Sequence, residues 1–234
     1  MLAKRITPTI LMRNGQMVKG KQFRADRVTG SALQAAKVHA MRGVDEILIL
    51  DVSATQEGRE PNYEMIQQLT ETTTVPVTIG GGISSIDHVE KLFDSGADKI
   101  CIGTYVDLIE EVAEKYGSQA VTASLDYWQS EAYIEKAVYE STWVMEHGAG
   151  EILLQCKETD GTMDGYDLTL IGAVSNHVHI PVIASGGCSG YEDMLQAILA
   201  GADAVAAGAL FQFTNSTPKG AAQFLHEQGI EVRL

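Results

Sequence analysis

The sequence predicts an α/β fold, a (β/α)8 TIM barrel built from two similar half-barrels. Three features indicate it: short apolar segments alternate with amphipathic ones, eight such apolar segments occur, and the second half of the chain repeats the pattern of the first. A chain of 234 residues, 45% of them hydrophobic, can bury the core that this fold needs. Since no Pro/Ser-rich linker divides the chain, we expect residues 1–234 to form one barrel domain.

The eight predicted strands are short, apolar and separated by segments long enough to hold a helix. They are Ile6–Leu11, Glu46–Asp51, Val77–Ile79, Lys99–Ile102, Ala120–Leu125, Glu151–Leu154, Val182–Ala184 and Ala204–Ala207. A tight turn is expected after the first strand, at Asn14-Gly15. Apolar residues at helical spacing predict helices between the strands, including Ser31–Met41, Tyr63–Thr70, Ile86–Ser95 and Tyr191–Leu199.

An internal repeat supports the two half-barrels. Segments 75–104 and 180–209 align without a gap at an offset of 105 residues. The alignment superposes these residues: Pro76 on Pro181, Gly81 and Gly82 on Gly186 and Gly187, and Gly103 on Gly208. Several elements in register favour a duplicated unit over turn chemistry that two unrelated segments happen to share.

The repeated glycines predict a phosphate site in each half. A backbone without side chains lets a ligand approach closely, and amides at the start of the following helix attract an anion. The residues concerned are Gly81, Gly82, Gly103 and Thr104 in the first half, and Ser185, Gly186, Gly187, Gly208 and Ala209 in the second. Two sites around one barrel opening predict a long ligand with a phosphate at each end. The alternative is that both are tight turns without a ligand.

The composition argues against several classes of function. The formal net charge of −14 disfavours a broad surface for nucleic acid or anionic membranes. Three widely spaced cysteines, with no signal peptide recognised before them, predict free thiols and a cytoplasmic location. No apolar segment approaches the length of about 18 residues that predicts a membrane span. We also expect no cofactor and no metal, because His177 and His179 precede a strand, away from the glycine turns.

The chain resembles a known family along nearly its whole length. The segments "MLAKRITP", "DEILILDVSATQEGR", "VTIGGGI", "DGTMDGYDL", "IPVIASGG" and "GIEVRL" are similar to the cyclase subunit (HisF family) of imidazole glycerol phosphate synthase. The resemblance implies a barrel that receives ammonia from a glutaminase subunit docked at its bottom face, as a heterodimer. At the top face, ammonia would react with a bisphosphorylated ribulosyl aminoimidazole carboxamide nucleotide. The implied products serve histidine and purine synthesis.

The resemblance also implies roles for particular residues. A charged ammonia gate at the bottom of the barrel corresponds to four residues, Arg5, Glu46, Lys99 and Glu151. Two acids and two bases facing each other can neutralise one another, which makes their burial tolerable. Asp98 matches a residue that faces the glutaminase. Other residues that the family pattern retains here, outside the repeated glycine turns, are Lys19 in the long first loop, Asp51, Thr78, Asp160 and Gly161.

One member of the expected catalytic pair is missing. The family uses two aspartates, at the ends of the first and fifth barrel strands, and such a pair suits acid–base catalysis because one group protonates while the other abstracts. Asp126 matches the second aspartate, but Leu11 stands at the position of the first. We therefore expect an ammonia-dependent lyase whose activity is impaired or altered. Further departures are Thr9 for a cysteine, Gly103 for an asparagine, Gln155 for a threonine, Ala209 for a serine, and a segment after Asp126 too short for the family's β-hairpin.

Four interpretations stay open at the level of sequence. The first is the cyclase subunit itself, with another group replacing the lost carboxylate. The second is a paralogue that conveys ammonia for acetamidino formation on a surface nucleotide-sugar, since a branch of the family lacks the first aspartate and carries a segment like Glu60–Glu64. The third is a non-catalytic partner that activates a glutaminase. The fourth, a phosphate-binding isomerase barrel, is disfavoured by the four gate residues.

Overall fold

The computed structural model describes residues 3–234, apart from the side chains of Ala25 and Asp26; Met1 and Leu2 of the opening motif lie outside this range. A sheet of parallel strands closes on itself through pairing of its first and last members, where Arg5 is in register with Ala204. Helices cover the outside of this barrel. The predicted (β/α)8 fold class is therefore confirmed.

The barrel strands and helices follow the predicted order with small shifts at their ends. The eight barrel strands are β1 (Arg5–Arg13), β4 (Ile47–Asp51), β5 (Val77–Gly80), β6 (Lys99–Ile102), β7 (Val121–Tyr127), β8 (Glu151–Cys156), β9 (Val182–Ser185) and β10 (Ala204–Ala207). The helices are α1 (Ala32–Met41), α2 (Ala54–Glu57), α3 (Tyr63–Thr72), α4 (Ile86–Asp94), α5 (Leu108–Tyr116), α6 (Tyr133–Glu146), α7 (Leu168–Ser175), α8 (Tyr191–Leu199), α9 (Ala209–Phe213) and α10 (Pro218–Glu227). Glu46 and Ala120, predicted within strands, lie one residue before them.

The long first loop proves to be a β-hairpin, β2 (Gln16–Lys21) and β3 (Arg24–Ser31), inserted between β1 and α1. The expected turn at Asn14-Gly15 joins β1 to β2, and both residues have positive φ, 50° and 75°. This is the backbone that an Asn-Gly pair adopts readily in a two-residue hairpin turn. Lys19 was predicted to lie in a loop, and this prediction is wrong. It lies in β2, because the segment after β1 forms a hairpin that the sequence did not indicate.

Equivalent contacts recur in the two half-barrels. The Asp98 carboxylate accepts a hydrogen bond from the Val77 amide at 2.8 Å, and the Asp203 carboxylate accepts one from the Val182 amide at 3.2 Å. Asp98 and Asp203 are 105 residues apart, and so are Val77 and Val182, which is the offset of the sequence repeat. The repeat therefore extends from sequence to specific hydrogen bonds at the N-terminal ends of the strands.

Buried hydrophobic residues form two clusters, one outside the barrel and one inside it. A large cluster packs the outer faces of the strands against the helices. A small one fills the barrel interior and consists of Leu48, Cys101, Leu153, Ile183, Ala204 and Ala206. Along β1, the inward positions run from Arg5 at the N-terminal end through Thr7 and Thr9 to Leu11. Among residues 3–234, no helix is both long and apolar enough to cross a membrane.

Candidate active site

Both groups of repeated glycines face one opening, the mouth, formed by the C-terminal ends of the barrel strands. One cavity of about 290 Å³ there is lined by Leu11, Lys19, Asp160, Gly161 and the second cradle, defined as Ser185, Gly186, Gly187, Gly208 and Ala209. Another, of about 310 Å³, is lined by Asp51, Asp126 and the first cradle, defined as Gly81, Gly82, Gly103 and Thr104. The two cavities adjoin, because six residues line both of them: Phe23, Leu50, Val52, Gln56, Gln155 and Lys157.

Close backbone approaches require glycine at the turn that follows β5 and at the turn that follows β9. Gly81 has φ of 101°, and a Cβ atom there would overlap the carbonyl oxygen of Asp51. In the second half, a Cβ at Gly186 would lie 2.8 Å from the carbonyl oxygen of Cys156. Since Asp51 and Cys156 are themselves 105 residues apart, the same turn packs against the same strand end in both halves.

The two cradles differ in the amides that they leave open. The Gly82 amide donates to Oγ1 of Thr55 at 3.1 Å, and the first turn of α4 is capped by the side chain of Ser85. In the second cradle, α9 begins at Ala209 directly after β10, with Gly208 as its N-cap and no side chain accepting from its first turn. The second cradle thus has the greater capacity to bind an anion through backbone amides.

A buried lysine stands beside the second cradle. Lys19 is only 6% exposed, and its Nζ lies 3.2 Å from Oδ1 of Asp160. A Cβ built on Gly208 would lie 3.6 Å from the same Nζ, so the ammonium group borders the cradle. The pairing with Asp160 compensates part of the cost of burial and leaves other donors of the ammonium group for a ligand.

Asp51 is fully engaged within the protein. Its Oδ1 accepts hydrogen bonds from the amides of Ser53 and Ala54, each at 3.1 Å, and from the Arg59 guanidinium at 2.9 Å. These bonds hold the turn between β4 and α2. Asp51 also lines the cavity at the first cradle, and the substrate contact that the sequence predicted for it stays a prediction. Arg59, within the "EGRE" segment, was not predicted as a member of the site.

Asp126 lies on β7 with its carboxylate at the mouth. Its Oδ1 accepts from Nε2 of Gln155 at 3.0 Å and from Oγ of Ser124 at 3.3 Å. Burial raises the pKa of Asp126 above its ordinary value, and the charge of Lys157 with these two hydrogen bonds opposes part of that rise. A carboxyl group with a raised pKa is suited to exchange protons near neutral pH.

Gln155 connects Asp126 to the second cradle. Its side-chain oxygen accepts from Oγ of Ser185 at 3.1 Å, while its side-chain nitrogen donates to Asp126. The sequence marked Gln155 only as a departure from the family, because a hydrogen-bond chain across three neighbouring strands has no signature in the sequence. The chain fixes the orientation of the carboxylate.

Leu11 occupies the last inward position of β1 that lines the mouth, in register with Leu50 of β4. Neither side chain can exchange a proton, so this side of the mouth is apolar where Asp126 makes the other side acidic. The structure therefore brings Leu11 and Asp126 to the same opening, as the sequence predicted, without a second carboxylate at the end of β1.

The four expected gate residues form a closed ring of ion pairs at the N-terminal end of the barrel, called here the charged ring. The Arg5 guanidinium contacts Oε2 of Glu46 at 2.7 Å and Oε2 of Glu151 at 2.6 Å. Across the ring, Nζ of Lys99 lies 3.0 Å from Glu46 and 2.8 Å from Glu151. The carboxylates are 4% and 7% exposed, so each charge is compensated in a nearly dry setting.

Two threonines donate hydrogen bonds to the carboxylates of the charged ring. Oγ1 of Thr78 donates to Glu46 at 2.8 Å, and Oγ1 of Thr122 donates to Glu151 at 2.9 Å. Burial alone would raise the pKa of Glu151, but the charges of Arg5 and Lys99 and their hydrogen bonds lower it below its ordinary value. The ionised form of Glu151 is therefore favoured in the ring.

The segment after Asp126 is short, as the sequence indicated. β7 ends at Tyr127 and α6 begins at Tyr133, and no strand lies between them in the described chain. A third cavity, of about 590 Å³, opens beside this connection and is lined by Asp126, Tyr139 and Trp143. Trp128, 48% exposed, borders the mouth.

Comparisons with known proteins show the family to which the chain belongs. Residues 5–217 match the model of a family described as histidine biosynthesis protein. The chain is 40% identical over 251 residues to a protein from Chlorobium phaeovibrioides, 41% to one from Chlorobium phaeobacteroides strain BS1, and 39% to one from Chlorobium limicola. Each is named imidazole glycerol phosphate synthase subunit HisF, and each alignment covers 100% of both chains. The chain therefore belongs to the histidine biosynthesis protein family and is similar along its whole length to HisF subunits.

Proposed function

We propose that the chain is the cyclase subunit of an imidazole glycerol phosphate synthase-type glutamine amidotransferase, acting in histidine biosynthesis. The observation that carries this proposal is the placement of the charged ring and the two cradles at opposite ends of one barrel. A barrel that joins a small nitrogen nucleophile to a long substrate needs an entrance at one end and a substrate site at the other. Full-length similarity to HisF subunits supports the same function.

The substrate of the proposed reaction is a bisphosphorylated ribulosyl aminoimidazole carboxamide nucleotide. One phosphate binds at the second cradle, with open amides at the start of α9 and the ammonium group of Lys19 beside it. The other binds at the first cradle, near Gly103 and Thr104. The reacting carbons then lie between the cradles, beside Asp126, which exchanges protons with them.

Ammonia reaches the mouth through the barrel interior. The hydroxyls of Thr7 and Thr9, both inward on β1, are buried and have no hydrogen-bond partner among the described residues. Buried polar groups are costly unless they form hydrogen bonds. Ammonia is small enough to enter the barrel interior and form hydrogen bonds with these two hydroxyls. The charged ring closes the entrance, and Asp98, on the same end of the barrel, faces a glutaminase subunit.

The proposed activity is reduced or altered relative to a barrel with two carboxylates, because Leu11 neither gives nor takes a proton. The loss of one acid–base group typically lowers a rate by roughly 10²–10⁴-fold. The same substitution is the observation that favours a second candidate, in which the barrel passes ammonia to a different acceptor such as a nucleotide-sugar.

The purified chain, supplied with the bisphosphorylated nucleotide and an ammonium salt, tests the proposal. We expect formation of imidazole glycerol phosphate without any partner, and the same turnover from glutamine once the glutaminase subunit of an imidazole glycerol phosphate synthase is added. Lys99→Met, which opens the charged ring, should alter the glutamine-driven rate while leaving the ammonium-driven rate near that of the wild type. If the chain stimulates the glutaminase but never consumes the nucleotide, the second candidate replaces the first.

A further inference from the structure

Lys157 stands where the cavities of the mouth meet. It follows the last residue of β8, and it lines the cavity at the second cradle, the cavity at the first cradle and the large cavity beside Asp126. Its amide donates to the carbonyl oxygen of Tyr127 at 2.8 Å, which fixes the start of its loop against the end of β7. A ligand that spans both cradles passes this side chain.

The ammonium group of Lys157 is not committed to an ion pair. Among the side chains that the structure describes, no carboxylate lies within 4 Å of its Nζ. Instead, Nζ lies 5.0 Å from the ring centroid of Phe23, at cation–π distance. Lys19, the other lysine at the mouth, is already paired with Asp160. In a chain with a net charge of −14, an uncommitted cation at the substrate opening calls for a functional explanation.

Phe23 is held over Lys157 by a strained turn. Gln22 and Phe23, at the tip of the β2–β3 hairpin, both have positive φ, 53° and 61°, a strained backbone conformation for residues with side chains. The tip is anchored to the loop after β8, because the Gln22 amide donates to the carbonyl oxygen of Asp160 at 2.8 Å and its side chain donates to that of Glu158 at 3.2 Å. The anchored tip positions an aromatic face against the ammonium group.

We propose that Lys157 is a further catalytic residue, the proton donor that works opposite Asp126 in place of a carboxylate at the position of Leu11. This inference rests on the proposed function. Phe23 is the corresponding positioning residue, since it contacts Lys157 and holds the ammonium group over the mouth.

The step balances in two stages. Ammonia forms a bond with the substrate carbonyl carbon; as it does, the Lys157 ammonium group gives a proton to the carbonyl oxygen and Asp126 accepts a proton from the nitrogen, which leaves a neutral carbinolamine. The bond from the same carbon to the hydroxyl oxygen then breaks, the Asp126 carboxyl group gives its proton to that oxygen, which leaves as water, and the Lys157 amine accepts a proton from the nitrogen as the C=N bond forms. Both residues return to their starting protonation states.

The test compares Lys157→Met and Lys157→Arg in the reaction of the bisphosphorylated nucleotide with an ammonium salt, which needs no glutaminase. Arginine keeps the positive charge but does not release a proton in proteins. If Lys157 is the proton donor, both variants should therefore lose kcat by roughly 10²-fold or more, while KM changes much less. Phe23→Leu should lower kcat by a smaller factor. Lys219→Met, an exposed lysine on α10, is the matched control and should behave as the wild type.

Three results overturn the inference. If Lys157→Arg keeps the wild-type kcat, only the charge matters; if Lys157→Met changes KM alone, the lysine binds an anionic part of the substrate; if neither constant changes, it has no role. Urea unfolding of each variant, with Lys157→Gln as a second uncharged variant, separates these results from misfolding. If the wild-type chain never consumes the nucleotide, the proposed function is overturned as well. If the wild type and Lys157→Met are equally active, only the inference about the lysine is overturned.

Discussion

Arg5 and Glu151 are 146 positions apart in the chain, yet their side chains meet at 2.6 Å at the N-terminal end of the barrel. Closure of the sheet brings β1 and β8 to opposite sides of the same narrow space, where both side chains point inward. The contact gives the charged ring a structural role that is independent of any ammonia passing it.

Removing one acid of the ring should destabilise the fold. Glu151→Ala leaves Arg5 and Lys99 each with one partner fewer and the Thr122 hydroxyl without an acceptor. We expect a loss of about 3 kcal/mol in the free energy of unfolding, the usual cost of breaking a buried ion pair. Urea denaturation measures it. The control is Lys136→Met, which removes an exposed pair with Glu140 on α6 and should change stability by less than about 0.5 kcal/mol.

The ring should also make stability depend on pH in the acid range. The pKa of Glu151 is lowered in the fold, so its ionised form is favoured there, and its contribution is fully present above the ordinary value of 4.5. That contribution is lost as the pH falls through the lower pKa of the folded state. Glu151→Gln should therefore show a shallower acid limb in unfolding experiments than the wild type. An identical acid limb in both proteins would contradict ionisation of Glu151 in the ring.

Glycines of one cradle should respond differently to the same substitution. Gly81→Ala introduces a Cβ that overlaps the Asp51 carbonyl, at positive φ, and we expect a cost of about 3 kcal/mol. At Gly103 the added Cβ would meet Ser124 at 3.4 Å, an ordinary contact, so Gly103→Ala should change stability by about 0.5 kcal/mol or less. Urea unfolding of the pair measures the contrast. Equal stabilities would mean that the turn at Gly81 relaxes.

Asp126→Asn should make the protein more stable and less active. Burial raises the pKa of Asp126, so ionising this carboxyl group costs more free energy in the fold than in the unfolded chain. The amide removes this cost, and it retains an oxygen to accept from Gln155. The gain in melting temperature over the wild type should shrink as the pH falls, because the wild-type carboxyl group then becomes neutral in the fold. Turnover should fall by roughly 10²-fold or more. Full activity in the variant would exclude Asp126 as a proton-transfer group.

Restoring a carboxylate at the end of β1 should raise turnover. Leu11→Asp places an acid–base group on the wall of the mouth opposite Asp126, and Leu11→Asn, which has similar size without a titratable group, is its control. If Lys157 already supplies the second proton-transfer group, the gain should be modest in the wild type and larger, roughly 10²-fold, in Lys157→Met. A double-mutant cycle of kcat values measures this coupling. Equal gains in both backgrounds would show that the two positions act independently.

The sequence predicted most of the barrel because its signals are local. Apolar segments, glycine turns and the offset of 105 residues located the eight strands, and the same offset relates Asp98 to Asp203 at the strand starts. The β2–β3 hairpin was missed because its strands carry many charged residues and little alternation of apolar ones. Its two strands are paired by a turn of two non-glycine residues, which is an uncommon turn chemistry.

The site was predicted less completely than the fold. Leu11 and Asp126 follow from the family resemblance and the cradle residues from the glycine pattern, and the structure places them all around one mouth. Lys157 was missed because a single lysine after a strand has no distinctive pattern, and only closure of the barrel brings it beside Asp126 and Phe23. Long-range contacts of this kind depend on strand order and shear, which the linear sequence does not display.

Crystals of the chain grown with the bisphosphorylated nucleotide would show directly, as electron density at the mouth, whether both half-barrels hold the substrate. We expect one phosphate at Gly208 and Ala209 beside Lys19, the other at Gly103 and Thr104, and the chain of carbons between them within reach of Asp126. A ligand bound by one phosphate only, with its other end in solvent, would contradict a substrate held between the two half-barrels.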